Sequence, residues 1–112
     1  MEGISLTGLV QDLLDQARSN SSGRASHTVH GGHEHRLRQV VIALTEGNGL
    51  AEHESPPEAT LHVLSGRVRL STADEAWEGG AGDLCPIPAA RHALAALADS
   101  AVLLTVRVAD PT

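Results

Sequence analysis

Between residues 52 and 66 the chain reads EHESPPEATLHVLSG, which sets His53, Glu54, Glu58 and His62 within ten positions. Imidazole and carboxylate are the donors that hold divalent first-row metals, and imidazole also moves protons near neutral pH. A further histidine, His92, stands nearly forty residues on, in GDLCPIPAARHALA. A second cluster, His27, His30, His33 and His35 with Glu34, lies in SHTVHGGHEHRLRQ. Histidine-rich tracts bind metal, but HGGH reads first as a turn between two strands, which makes this cluster a solvated hairpin tip. Arg36 and Arg38 alternate with Leu37 and read as a solvated strand face.

Other chemistries lack their residues. All eight basic residues are Arg, so a lysine Schiff base is excluded. The single cysteine, Cys85, sits in the apolar DLCPIP, reads as a structural thiol, and rules out an intrachain disulfide. No Gly-rich phosphate loop joins a strand to a helix, and no serine nucleophile elbow is present. With net charge −6, no Phe, no Tyr and Trp77 as the one aromatic, the chain has neither the basic face nor the stacking platform that nucleic acid needs. The first twenty residues carry acids where a signal peptide needs bases, and no stretch approaches the roughly 20 apolar residues of a membrane span. The expectation is a soluble cytoplasmic protein.

At 112 residues and 41% hydrophobic content the chain suits one globular domain with a modest core of Leu, Val, Ile and Ala. Leu6, Leu9, Val10, Leu13, Leu14 and Ala17 form one stripe of an amphipathic helix over 6–18. Ser5 caps its start and SNSSG with Gly23 ends it. Residues 1–23 thus read as helix and linker, and 24–112 as a β-domain. Strands are expected at 26–30, 35–45, 50–54, 59–65, 67–72, 76–78, 83–87, 91–97 and 101–108, separated by Gly-, Pro- and Asp-rich breaks. RQVVIAL and AVLLTV are continuous apolar runs suited to central strands, and short strands without helices between them indicate an antiparallel sandwich or barrel.

Two of these stretches carry a resemblance. GNGLAEHESPPEATLHVLSG resembles the first cupin motif, with Gly47, His53 and Gly66 in place. Ser55 stands at its second histidine, and Ala59 at its glutamate with Glu58 one place off. GDLCPIPAARHALA resembles the second motif through Gly82, Pro88 and His92, one residue short between Pro and His, with Ala96 at the closing Asn. The resemblance covers about two thirds of the chain. It implies an all-β fold of the double-stranded β-helix or jelly-roll barrel type, RmlC-like, behind the N-terminal helix.

In metal-bearing cupins three His and one Glu converge inside the barrel. The resemblance therefore implies a pocket with His53 and His92, and through them a divalent ion of the Zn, Fe, Mn or Ni kind. A third donor is open between Glu58, re-aimed by a bulge at SPPE, and His62, reached by a one-residue register shift. Without that shift, Ala59, Leu61 and Val63 face inward and His62 outward. The reading that follows is a binder of a small polar molecule, assembled as a homodimer, with the helix stripe packed on the domain or on a partner subunit. The alternative is a metal-dependent dioxygenase, isomerase or lyase acting on a small organic acid.

Overall fold

The computed structural model describes residues 1–109; the last three residues of the expected β-domain lie outside that range. Helix α1 (Leu6–Ser19) begins where Ser5 Oγ accepts the Gly8 amide at 3.1 Å, satisfying one of the free donors of the first turn. It stops at Asn20, which is extended and donates its amide to the Gln16 and Ala17 carbonyls. Gly23 therefore does not cap the helix; it makes a left-handed turn three residues later. The apolar stripe buries Val10, Leu13, Leu14 and Ala17.

Nine strands follow: β1 (Arg24–His30), β2 (Leu37–Leu44), β3 (Gly49–His53), β4 (Glu58–Ser65), β5 (Arg67–Ser71), β6 (Ala76–Gly80), β7 (Leu84–Pro86), β8 (His92–Ala96) and β9 (Ser100–Arg107). They form two antiparallel sheets, one in the order β1-β2-β9-β4-β7 and one in the order β3-β8-β5-β6. The two continuous apolar runs, β2 and β9, pair over their whole length in the middle of the larger sheet. Strands that are apolar on both faces belong where both faces are covered, and here both are. Ile42, Leu44, Val102 and Leu104 point between the sheets to meet Val68, Leu70 and Leu94. Val41, Ala43 and Ala101 point the other way, under α1.

Gly66 (φ 81°) makes the turn from β4 to β5, and a side chain there would run into the Asp99 carbonyl and Ser100. Trp77, half-buried against the inner cluster, lays its ring over Gly79, where no side chain fits. Cys85 is half-buried beside the same cluster. Burial first, and the Glu75 charge second, push its thiol pKa up, which suits a packing role.

Candidate functional site

His53 ends β3 and His92 begins β8, two strands that pair antiparallel at one mouth of the barrel. Leu50 faces Leu94 and His53 faces His92, so β3 takes three steps while β8 takes two. That extra residue is a β-bulge. Under strict alternation Leu50 and His53 would sit on opposite faces; the bulge turns both inward. The imidazoles meet edge to face, with centroids 4.4 Å apart and planes at 66°. His92 is 4% exposed, whereas His53 is exposed.

Each ring is anchored by the carbonyl two residues before it. His53 Nδ1 lies 2.9 Å from the Ala51 oxygen, and His92 Nδ1 lies 2.9 Å from the Ala90 oxygen. A carbonyl only accepts, so each neutral ring carries its proton on Nδ1 and keeps the Nε2 lone pair for something else. On the outward side Arg91 grips the same strand pair. Its Nε donates to Glu52 at 2.9 Å and its terminal nitrogen to Glu54 at 2.7 Å. Those bonds, Glu52 first, raise the guanidinium pKa further above its already high value. All three groups are exposed, so the gain is register and orientation more than stability.

Behind the histidines the barrel is nearly full. A void of about 20 Å³ remains among Leu50, Leu61, Leu70, Ile87, Leu94 and Leu104, room for one water. Beyond the pair, the segments after β3 and before β8 frame a groove of about 220 Å³. Glu54, Ser55, Pro56 and Pro57 form one side and Ala89 and Ala90 the other. Near the histidine pair, open space therefore lies at the mouth and not inside the barrel.

The other two candidate residues are placed elsewhere. On β4, Leu61 and Val63 are buried between the sheets, and His62 points outward between Leu103 and Leu84. Glu58 is exposed at the start of β4, opposite Arg107. The bulge expected to re-aim it falls instead in β3, while the irregularity in β4 comes late, between Val63 and Ser65. In the second cluster His30 and His35 stack at 4.9 Å, and His35 Nδ1 accepts the Gly32 amide at 2.9 Å, a contact that closes the β1–β2 hairpin. Among the described residues no three of His, Cys, Asp and Glu gather where an ion would sit. Zn, Fe, Mn and Ni sites draw on three or more protein donors. Two imidazole nitrogens do not fit a resident ion of that kind. The Arg91–Glu52–Glu54 contact escaped sequence reading; its one trace is that acids flank His53 and an arginine precedes His92.

No family model and no curated protein matches the chain. Solved structures do. A conserved protein of unknown function from Streptococcus pyogenes superposes with a TM-score of 0.72 at 26% identity, over 82% of this chain and 80% of that one. An RmlC-like cupin from Desulfovibrio desulfuricans gives 0.71 at 22% identity, over 96% of each chain. The DMSP lyase DddQ from Ruegeria pomeroyi gives 0.67 at 20% identity, over 80% of this chain and 49% of that one. The architecture is the cupin jelly roll, as its two motifs suggested. In fold the chain is similar to small single-domain RmlC-like cupins.

Proposed function

We propose that this cupin binds a small polar molecule at the barrel mouth, where His53 and His92 accept hydrogen bonds from it through Nε2. The observation that carries the reading is the double anchoring of Nδ1 to the Ala51 and Ala90 carbonyls. It fixes both tautomers and leaves two neighbouring acceptors on rings that line the small interior void, while the residues that flank them in sequence, 54–57 and 89–90, frame a groove of about 220 Å³. A ligand presenting hydroxyl or ammonium donors suits this arrangement. The nearly filled interior keeps the ligand at the rim. The single thiol fits a reducing compartment, and no helix among the described residues is long and apolar enough to cross a membrane, which supports a cytoplasmic reading.

A metal-dependent enzyme, of the dioxygenase, isomerase or lyase class, is the second reading. Imidazoles whose far nitrogen is tied to a carbonyl are typical of metal ligands, and a lyase shares the fold. The two-donor set opposes it. Loading the purified protein with Zn²⁺, Fe²⁺, Mn²⁺ and Ni²⁺ in turn, followed by desalting and metal analysis, separates the readings. Substoichiometric retention is expected for every ion. Stoichiometric metal that disappears in both His53→Ala and His92→Ala would establish the enzyme reading instead. A small-molecule library screened by amide chemical shifts should move residues 53–57 and 89–92, and lose the effect in both variants.

A further inference from the structure

Strand β1 is the last strand of the larger sheet and β3 the last of the smaller, and the two do not pair. Between them runs a groove of about 360 Å³, at the small end of the range for ligand sites. Its floor is apolar, made by Val40 and Ile42 of β2 and Leu50 of β3, all half-buried. Ile42 and Leu50 also line the void behind the histidines, so they form the wall between the two spaces. Its rim is polar. Arg24 and Ser26 stand two residues apart on β1, hence on one face, and Ser22 comes just before them.

Arg24 has donors to spare. Its terminal nitrogen reaches across to the Gly49 carbonyl at 3.5 Å, longer than an ordinary hydrogen bond. Arg18, Arg67, Arg69 and Arg91 each hold a carboxylate. Arg24 holds none among the described residues, although the chain has 14 acids to 8 arginines. No Asp or Glu lines the groove. Ser22 Oγ accepts the Arg24 amide at 3.3 Å and keeps its own proton to donate. Ser26 is exposed beside it.

We propose that this groove binds a small monocarboxylate with an aliphatic body. A guanidinium fork meets a carboxylate through two parallel hydrogen bonds, and one guanidinium balances one negative charge. The Ser22 and Ser26 hydroxyls add donors to the same head group, and the body lies on Val40, Ile42 and Leu50. A chain of net charge −6 does not draw anions from a distance, so the selection is made by contact at Arg24. The next cation on this face is Arg38, six residues along β2 from Leu44, the partner of Arg24. At about 20 Å it lies more than two Debye lengths away at physiological salt and takes no part.

This inference is independent of the barrel mouth, where two imidazole acceptors call for a donor and not for an anion. The test follows amide chemical shifts of the full chain near neutral pH, at constant ionic strength, as hexanoate, acetate or hexanamide is added. Hexanoate should shift residues 22–26, 40–42 and 50 and saturate. Acetate lacks the body and hexanamide lacks the charge, so each should bind at least about tenfold more weakly. Arg24→Ala should weaken hexanoate at least about tenfold, and Arg38→Ala less than about twofold. Ser26→Asp, which sets a like charge at the rim and leaves Arg24 in place, should act as Arg24→Ala does. Unchanged shifts at 53–57 and 89–92 show that the variants keep their fold. The proposal falls if hexanoate produces no saturable shift, if hexanamide binds as well, if Arg24→Ala leaves the affinity unaltered, or if the shifts centre on the mouth. Shifts at 22–26 that follow protein concentration and ignore hexanoate would give the groove to a second copy of the chain, and overturn it too.

Discussion

At the scale of single residues, His53 and His92 occupy the same strand pair under opposite conditions. His92 is buried against the apolar void, while His53 shields it from the solvent side. Truncating His92 enlarges that void, and apolar neighbours relax into such space incompletely. His92→Ala is therefore expected to cost about 2 kcal/mol, and His53→Ala no more than about 0.5 kcal/mol. Urea denaturation of the two variants measures the difference. Equal losses would mean that the two rings share one burial environment, contrary to the exposure of His53. Ligand binding should fall in both variants alike, because both supply an acceptor. Stability and binding thus rank the same two substitutions differently, which keeps a folding defect from being mistaken for a binding role.

Among the elements, Asp99 shows how loops hold the helix to the barrel. One carboxylate oxygen accepts the Glu46 amide at 2.9 Å and the other accepts Arg18 Nε at 3.0 Å. The residue therefore joins the β8–β9 turn to the β2–β3 turn and to the end of α1. The Glu46 amide first, and Arg18 second, hold its pKa below the ordinary carboxylate value. A carboxyl lowered on folding stabilises the protein above its unfolded pKa, about 3.9, and that contribution fades as the pH falls through the lower folded value. Asp99→Asn should flatten the acid limb of the stability curve and leave its shape above pH 5 or so unchanged. Thermal melts from acid to neutral pH show this; an unaltered acid limb would place the acid-sensitive groups elsewhere.

The elements themselves were legible in the sequence, since Gly66, the SPP break and the β2 and β9 apolar runs mark turns and central strands by their own stereochemistry. The inward set of β4 also followed from alternation, with Leu61 and Val63 in and His62 out. What alternation could not supply is the bulge in β3. Its cause is a pairing choice between Gly49–His53 and residues forty positions away, which no local pattern encodes. The orientation of His53, and the Arg91 contact that spans the same pair, depend on that non-local register.

For the molecule as a whole, the two hydrophobic clusters lie back to back on one sheet. Alternate residues of β2 and β9 serve them in turn: Leu44 and Val102 belong to the barrel interior, Ala43 and Ala101 to the surface under α1. Neither cluster survives loss of those two strands. The helix and linker over 1–23 and the β-domain beyond are therefore expected to unfold as one cooperative unit, despite their separation along the chain. Two probes are already built in. Trp77, the one tryptophan, reports the barrel interior through its fluorescence, and α1, the one helix among the described residues, dominates the helical part of the far-ultraviolet ellipticity. In guanidinium the two signals should give one midpoint and one slope. The titration is repeated at two protein concentrations, because any self-association would shift the midpoint by mass action. An ellipticity transition that precedes the Trp77 transition would show that α1 detaches from a barrel able to stand without it. In that case Val41, Ala43 and Ala101 must tolerate water, which their complete burial argues against.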